Sequence, residues 1–216
     1  MFLFLLFFIR SGVVFLHHLS EMIAKWYNPL PKKTYDLTYG DIVCLGFNMV
    51  TETVFTKWIW DYEITTISQY FPFNVLLLLV VDDLLYAPFH QFLHASYVYS
   101  WIHFRHHKVS HPSKAYLHAS MEHPFEMFGA LLLHALAIHL LYMYLDKCCI
   151  LLHISIKGLG ACLNHCGKDV MFIGYKTRHH HIHHMYQKYN FAQYIFLYDR
   201  MIGSYKCHFA KLNQKA

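Results

Sequence analysis

Acidic residues are scarce in this sequence. Asp and Glu together account for 13 of 216 residues and all charged residues for 14%, whereas 56% of the chain is hydrophobic. A chain so poor in charge is not a highly charged disordered protein, and its composition favours a protein embedded in lipid. Repeats and low-complexity linkers are also missing, so we expect a single membrane-embedded domain.

The cysteines lack the spacing of a metal or redox motif. Neither a C-x-x-C pair nor paired zinc-knuckle spacing occurs among the six, which stand at positions 44, 148, 149, 162, 166 and 207. We interpret them as reduced, mostly buried thiols.

One long segment has no charged residue at all. Met127–Leu145 contains no Lys, Arg, Asp or Glu and is close to the ~20 residues that cross a bilayer. The segment 71–81 is too short to cross unless its helix continues through Asp82 and Asp83 toward His90. We predict about four spans in all, drawn from Met127–Leu145 and from the apolar segments 1–19, 41–60, 71–81 and 148–163. We interpret the segment 1–19 as a retained anchor, because a signal peptide would begin with a positively charged region.

Basic residues dominate the end of the chain. Beyond Asn164 there are eight Lys and Arg residues against only Asp169 and Asp199. The positive-inside rule therefore predicts a cytoplasmic C-terminal region. The bases are dispersed and form no recognisable binding module, so we expect no nucleic-acid partner.

Histidine is the abundant residue, with 20 copies, and five of them lie between positions 179 and 184. Read on a helix, the H-x-x-H-H spacing places its three members toward one side, where one face could hold a metal. The pattern occurs twice, a H-x-x-x-H pair precedes it, and one further histidine stands in "NHCG". With His179 the candidate ligands number ten, which suits two metal ions: His90, His94, His103, His106, His107, His165, His179, His180, His183 and His184.

The ligand type leaves more than one metal open. A structural zinc site would be closed by four ligands, usually with thiolates among them, and no such set occurs here. Copper fits imidazole ligands, although no Cys or Met cluster accompanies them, and iron with open positions can bind oxygen. Three single histidines in apolar segments are interpreted as packed and hydrogen-bonded side chains rather than ligands: His134, His139 and His153.

The ordered motifs "HQFLH", "HFRHH", "EHPFE", "NHCG", "HHHIHH", "NF" and "YDRMIGS" resemble the fatty acid hydroxylase superfamily, also called sterol desaturase-like, over residues 75–206. The resemblance implies an endoplasmic-reticulum membrane enzyme whose histidine-bound di-iron centre uses O2 to hydroxylate, demethylate or desaturate a lipid. It makes the ten histidines the iron ligands. "NHCG" and the doubled histidine before the last motif are more similar to the sterol-oxidising members than to the fatty-acid members.

The resemblance also assigns supporting roles and partners. His123, Glu126 and Asn190 match positions that orient the ligands, while helix capping or an ion pair is an equal alternative for Glu126. Electrons would come from NAD(P)H through a separate reductase or a cytochrome b5-like donor, because no haem-binding module precedes the motifs.

We therefore expect an all-α integral membrane domain with a cytosol-facing histidine-rich cap. Residues 1–74 would form an anchor and loop region, 75–206 the catalytic domain and 207–216 a basic tail. Two alternatives stay open: a fatty-acid or sphingolipid hydroxylase of the same superfamily, and a non-catalytic membrane protein that binds or transports metal.

Overall fold

The computed structural model describes residues 2–31, 35–61, 70–172 and 175–208, with side chains from residue 11 onward. This part of the chain is mostly helical, as the sequence predicts. The five long helices are α1 (Phe2–Ala24), α2 (Tyr39–Asp61), α3 (Phe71–Leu93), α7 (Pro124–Leu140) and α8 (Lys147–Asn164).

Short elements connect the long helices and complete the C-terminal part. Met171–Phe172 pairs antiparallel with Tyr175–Lys176 in a two-stranded sheet, which directly precedes the helix Thr177–Tyr186. The short elements are α4 (Ser96–Tyr99), α5 (Phe104–His107), α6 (Tyr116–Ala119), a 3-10 turn (Tyr142–Tyr144), β1 (Met171–Phe172), β2 (Tyr175–Lys176), α9 (Thr177–Tyr186) and α10 (Leu197–Ile202).

Helix α3 continues through its two adjacent acids to Leu93, as the longer of the two sequence interpretations required. The Asp83 carboxylate accepts backbone N–H groups of three consecutive residues of the segment before α10, residues 193–195, at 2.9, 3.2 and 3.1 Å. Asp82 forms an ion pair with Lys157 of α8. Both buried acids thus have polar partners, so an otherwise apolar helix tolerates them.

The segment Met127–Leu145 is not a single helix, contrary to the sequence interpretation. Helix α7 begins at Pro124, where the His123 ring accepts the Phe125 N–H at 3.2 Å, and it ends at Leu140. The 3-10 turn follows, so the apolar helix has 17 residues. Since about 20 residues cross a bilayer, α7 is shorter than a standard span.

Two helices of the described residues, α3 and α8, are long and apolar enough to cross a membrane. Helix α2 is as long, but Asp41, Glu52, Lys57 and Asp61 interrupt it. The described structure therefore supports two candidate spans in a mostly helical domain, which fits a membrane protein.

The long helices pack around α8 and α3. Helix α8 contacts α1 and α3, and α7 contacts α2 and α3. Their shared core contains Ile59, Leu78, Ile138 and Ile150, each no more than 1% exposed. Both candidate spans end beside the histidine motifs, since α3 ends just before His94 and α8 just before His165.

All three predicted regions lie partly outside the described residues. Those outside are residues 1, 32–34 and 62–69 of the anchor and loop region 1–74, residues 173–174 of the catalytic domain 75–206, and residues 209–216 of the basic tail 207–216.

Candidate metal centre

Nine of the ten predicted histidine ligands form two clusters. Within each cluster, one ring nitrogen per residue lies within 4.8 Å of all the others. The five-histidine cluster consists of His90, His94, His103, His107 and His183, and the four-histidine cluster of His106, His165, His180 and His184.

Several elements supply each cluster. The end of α3, the α5 turn and α9 supply the five-histidine cluster, whereas the α5 turn, the residue following α8 and α9 supply the four-histidine cluster. Because α5 and α9 contribute to both, these two elements lie between the clusters.

The sequence interpretation assumed that each H-x-x-H-H motif brings its three histidines to one metal site. Neither motif does so in the structure. In α9, His180 and His184 belong to one cluster while His183 belongs to the other. At 100° per residue, a position four residues on is rotated by about +40° and a position three residues on by about −60°. Each motif therefore directs its i, i+4 pair to one cluster and its middle histidine to the other.

The ring nitrogens of the five-histidine cluster converge closely. His103 Nε2 lies 3.1 Å from His90 Nε2 and 3.0 Å from His107 Nε2. His183 Nε2 lies 3.2 Å from the Nε2 atoms of both His107 and His94. The five rings thus surround one point with their Nε2 atoms.

Three members of this cluster contact protein oxygens through their opposite ring nitrogens, the Nδ1 atoms. His90 Nδ1 lies 2.7 Å from the Phe191 carbonyl and His183 Nδ1 2.8 Å from the Tyr189 carbonyl. His103 Nδ1 lies 2.7 Å from the Glu126 carboxylate. A carbonyl oxygen only accepts, so in His90 and His183 the proton is on Nδ1 and the Nε2 lone pair faces the cluster centre.

The four-histidine cluster shows the same arrangement. His165 Nε2 lies 3.1 Å from His180 Nε2 and 3.2 Å from His184 Nε2. His165 Nδ1 donates to the Ala161 carbonyl at 2.8 Å and His184 Nδ1 to the Val109 carbonyl at 3.0 Å. With both protons on Nδ1, two Nε2 lone pairs face each other, and they repel unless a cation lies between them.

The spacing fits metal coordination. Two nitrogens bound about 2.1 Å from one metal ion, at a right angle to each other, lie roughly 3 Å apart. The observed separations are 3.0–3.2 Å, and imidazole suits iron, zinc, copper and nickel. The histidine clusters can therefore bind metal ions.

Burial keeps the candidate ligands outside the spans uncharged. It lowers the pKa of His107 and of His165 to about 3, with neighbouring histidines adding to the effect. Burial, with further histidines nearby, also places the pKa values of His180 and His184 well below the usual value. The rings are thus neutral at physiological pH, which is the form that binds metal.

A network around Asn190 holds the loop behind the five-histidine cluster. The Asn190 amide donates to the carbonyls of His179 and Lys206 at 2.9 and 2.8 Å. The Asp199 carboxylate accepts the backbone N–H groups of Phe191 and of the next residue, both at 2.8 Å. The Phe191 carbonyl is thereby positioned for the ring of His90. The sequence motifs include Asn190, Phe191 and Asp199, but spacing alone does not reveal these contacts.

Two of the predicted residues lie away from the clusters. His179 belongs to neither cluster, and its Nε2 lies 3.2 Å from the Tyr205 hydroxyl. His123 caps α7 through its ring. Glu126, by contrast, is 2% exposed and contacts the ring of His103 directly.

A third polar group was missed by sequence reasoning. Asp82 of α3, His134 of α7 and His153 of α8 bring their polar atoms within 4.8 Å of one another. The ammonium of Lys157 lies 2.7 Å from Asp82 Oδ2. No spacing rule connects residues on three separate helices, so the sequence carried no signal for this group.

The two clusters have different access. His94 of the five-histidine cluster lines an open groove of about 620 Å³, together with Tyr99, Gln187 and Lys188. His106, His165 and His180 of the four-histidine cluster line a more enclosed cavity of about 250 Å³. That cavity continues between the helices to His134, His153 and Lys157.

The sequence profile of the fatty acid hydroxylase family matches residues 75–204, which is more than half of the chain and includes all ten histidines. The chain belongs to the fatty acid hydroxylase family. Membership supports an oxidoreductase that acts on lipids.

Among curated relatives of this fatty acid hydroxylase family member is a Delta(7)-sterol 5(6)-desaturase from Eremothecium gossypii. The two are 28% identical over 127 residues, which cover 54% of this chain and 33% of the relative. The chain thus spans about a third of the relative's length, and within the family the similarity leans toward sterol enzymes. No solved structure matches the chain significantly.

Proposed function

We propose that this chain is a membrane-bound di-iron oxygenase that uses O2 and external electrons to hydroxylate, oxidatively demethylate or desaturate a lipid, with a sterol as the substrate class. The observation that carries the proposal is the pair of histidine clusters, together with the Nε2 lone pairs of His165 and His184, which face each other without a proton between them. The sterol assignment is supported by the printed activity of the relative.

The nine clustered histidines would hold two iron ions, five around one and four around the other. When bound, the iron supplies the O2-dependent oxidation of an unactivated C–H bond, chemistry that side chains lack. The chain's own residues orient the ligands. Glu126 holds the ring of His103, and the carbonyls of Phe191 and Tyr189 fix the rings of His90 and His183.

The partly enclosed cavity suits the substrate and the open groove suits the electron donor. The cavity runs between apolar helices to the four-histidine cluster, so a lipid bound there would contact apolar side chains. The groove reaches His94 from outside, where Lys188 would meet an acidic donor of the cytochrome b5 type supplied through NAD(P)H and a reductase. The groove thus gives such a donor an approach to the five-histidine cluster.

The proposed topology is multi-pass in the endoplasmic reticulum, with about four spans and the histidine cap facing the cytosol. Residues 1–74 would act as the anchor region, 75–206 as the catalytic domain and 207–216 as a basic tail. Both candidate spans lead to the cap, and the positively charged residues beyond Asn164 support a cytosolic cap.

Metal content of purified protein from iron-replete cells tests the proposal, with X-ray absorption spectroscopy to identify the ligands. We expect about two irons per chain in nitrogen-rich coordination and a lower content in His183→Ala. His181→Ala is the matched control, because His181 is buried in the same helix but belongs to neither cluster.

The outcomes separate the alternatives. Iron lost only in His183→Ala would justify screening sterol and fatty-acyl products with O2 and a reductase. Binding of a single non-redox metal, or of none by a folded protein, would overturn the oxygenase proposal in favour of metal binding or transport.

A further inference from the structure

A charged layer lies inside the helix bundle below the metal clusters. Asp82 is eight residues before His90 on α3, and Lys157 is eight residues before His165 on α8. At 1.5 Å per residue, each charged residue lies about 12 Å along its helix from the histidine above it. Both helices are candidate spans, so this charge pair lies at membrane depth, where ionisable residues are costly and usually functional.

The layer retains unused hydrogen-bonding capacity. The Lys157 ammonium forms an ion pair with Asp82 Oδ2 at 2.7 Å and donates a hydrogen bond to Gln193 Oε1 at 2.6 Å, so at least one of its three N–H donors remains for another acceptor. His153 is fully buried, and neither of its ring nitrogens makes a hydrogen bond within the described residues, although its Nε2 lies 3.5 Å from Asp82 Oδ2. A buried imidazole without such a bond costs free energy unless a ligand or water supplies one.

The cavity connects this layer to the four-histidine cluster. His134, His153 and Lys157 line one part of the cavity and His106, His165 and His180 another. Its volume of about 250 Å³ is just below the roughly 300–1,000 Å³ typical of ligand pockets. The cavity therefore has a polar part within the bundle and a metal-binding part at the cap.

The local chemistry disfavours a third metal ion in the polar part. Asp82, His134 and His153 would be a reasonable ligand set, but the Lys157 ammonium already balances the Asp82 charge at 2.7 Å. A divalent cation would leave the site with excess positive charge in a medium of low dielectric constant. A neutral oxygen of a ligand fits without that cost.

We propose that Lys157 and His153 bind the oxygen function of an amphipathic lipid substrate, such as a hydroxysterol. The carbon to be oxidised then lies at the four-histidine cluster, so this inference rests on the proposed function. A hydroxyl oxygen accepts the third N–H of Lys157 and donates its own proton to a ring nitrogen of His153. Lys157 and His165 are eight residues apart, about 12 Å along the chain, so the substrate's oxygen lies in the polar part of the cavity and its reacting carbon in the part beside the four-histidine cluster. Both are positioning residues, since neither belongs to a metal cluster.

Competition binding to the iron-loaded full chain in detergent tests this assignment. The probe is a fluorescent 3-hydroxysterol, and the competitors are cholesterol and cholestane, which has the same carbon skeleton without the oxygen. The wild type is expected to prefer cholesterol. Loss of one hydrogen bond of about 1.4 kcal/mol in His153→Leu or Lys157→Gln reduces that preference about tenfold, and cholestane competition is unchanged.

Two controls keep the result interpretable. His139→Leu removes another histidine of an apolar helix, but His139 is exposed and does not line the cavity, so the preference for cholesterol stays. His153→Leu removes no formal charge when the ring is neutral, so it carries the test if Lys157→Gln fails to fold. Iron content is measured on every variant and is expected to match the wild type.

Equal competition by cholesterol and cholestane in the wild type would overturn the inference. An equal loss of affinity for cholesterol and cholestane in the variants would also overturn it, because it would mean that the Asp82–Lys157 ion pair is purely structural. A third metal ion that disappears in His153→Leu would also overturn it. Failure of the proposed function has a different signature, namely fewer than two irons in the wild type, whatever the sterol preference.

Discussion

The five-histidine and four-histidine clusters share their ligand chemistry and differ in their surroundings. Both consist of imidazoles alone, with Nε2 atoms 3.0–3.2 Å apart. His94 of the first cluster is half-buried beside an open groove, whereas all four members of the second are buried and three of them line a partly enclosed cavity. Access, rather than donor type, distinguishes the two sites.

The supporting contacts differ as well. A carboxylate, Glu126, contacts the five-histidine cluster through His103, whereas the known Nδ1 partners of the four-histidine cluster are the carbonyls of Ala161 and Val109. A carboxylate raises the basicity of a ligand more than a neutral carbonyl does. The two metal ions would thus sit in electronically different sites, even though their ligands are the same residue type.

The largest expected effect is a difference in iron loss between the two clusters, which have different numbers of ligands. His165→Ala leaves three histidines in its cluster, whereas His94→Ala leaves four in the other. We expect His165→Ala to lose about one of two irons and His94→Ala to keep both, because four imidazoles remain and water from the open groove can replace the ring of half-buried His94. The fully buried ring of His183 has no such replacement, so His183→Ala still loses iron. Metal analysis of both purified variants checks this, and equal losses would show that the clusters do not bind metal independently.

An intermediate effect is expected at Glu126. Glu126→Ala removes the carboxylate that orients His103, so metal affinity at the five-histidine cluster falls roughly 10–100-fold. Glu126→Gln keeps an oxygen that accepts the His103 proton and is expected to lose less. Titration with a chelator, followed by metal analysis, would show a biphasic release in Glu126→Ala. A single phase equal to the wild type would contradict the role of this carboxylate.

The smallest effect concerns acid sensitivity on the four-histidine side. Burial lowers the pKa of His118 to about 4, and its Nδ1 accepts the backbone N–H groups of Ser113 and Lys114 at 2.9 and 3.3 Å. The unfolded chain takes up the proton near the ordinary pKa of about 6.5. His118 therefore lowers the free energy of unfolding progressively as the pH falls from about 6.5 toward 4.

His118→Asn isolates this contribution, because the Asn side-chain oxygen can accept the same N–H groups without titrating. Thermal unfolding in detergent between pH 7.5 and 4.5 is expected to show a weaker pH dependence in the variant than in the wild type. Parallel curves would mean that other groups cause the whole acid sensitivity.

The sequence predicted which histidines come together better than it predicted their grouping. The histidine motifs named nine residues that the fold brings into two clusters, and they led to the family to which the chain belongs. It assigned each H-x-x-H-H motif to one face, however, and His183 and His184 lie in different clusters. Periodicity gives the angle between side chains of one helix, but not what occupies the space on each side of it.

Membrane segments show the same limit. The lack of charged residues predicted a membrane span over Met127–Leu145, but helix α7 ends at Leu140. The segment with two adjacent acids, by contrast, continues for 23 residues as α3. A sequence window counts Asp82 and Asp83 as interruptions because it cannot see Lys157 or the backbone N–H groups that partner them.

The sequence alone determined the abundance of imidazole, the apolar helical composition and the motifs that identify the family, because these depend only on residue type and local spacing. Tertiary structure decided what depends on distant parts of the chain. It divided the histidines between two sites, placed the Phe191 carbonyl behind His90, and joined Asp82, His134, His153 and Lys157 from three helices. Packing sets those contacts, and no local pattern encodes it.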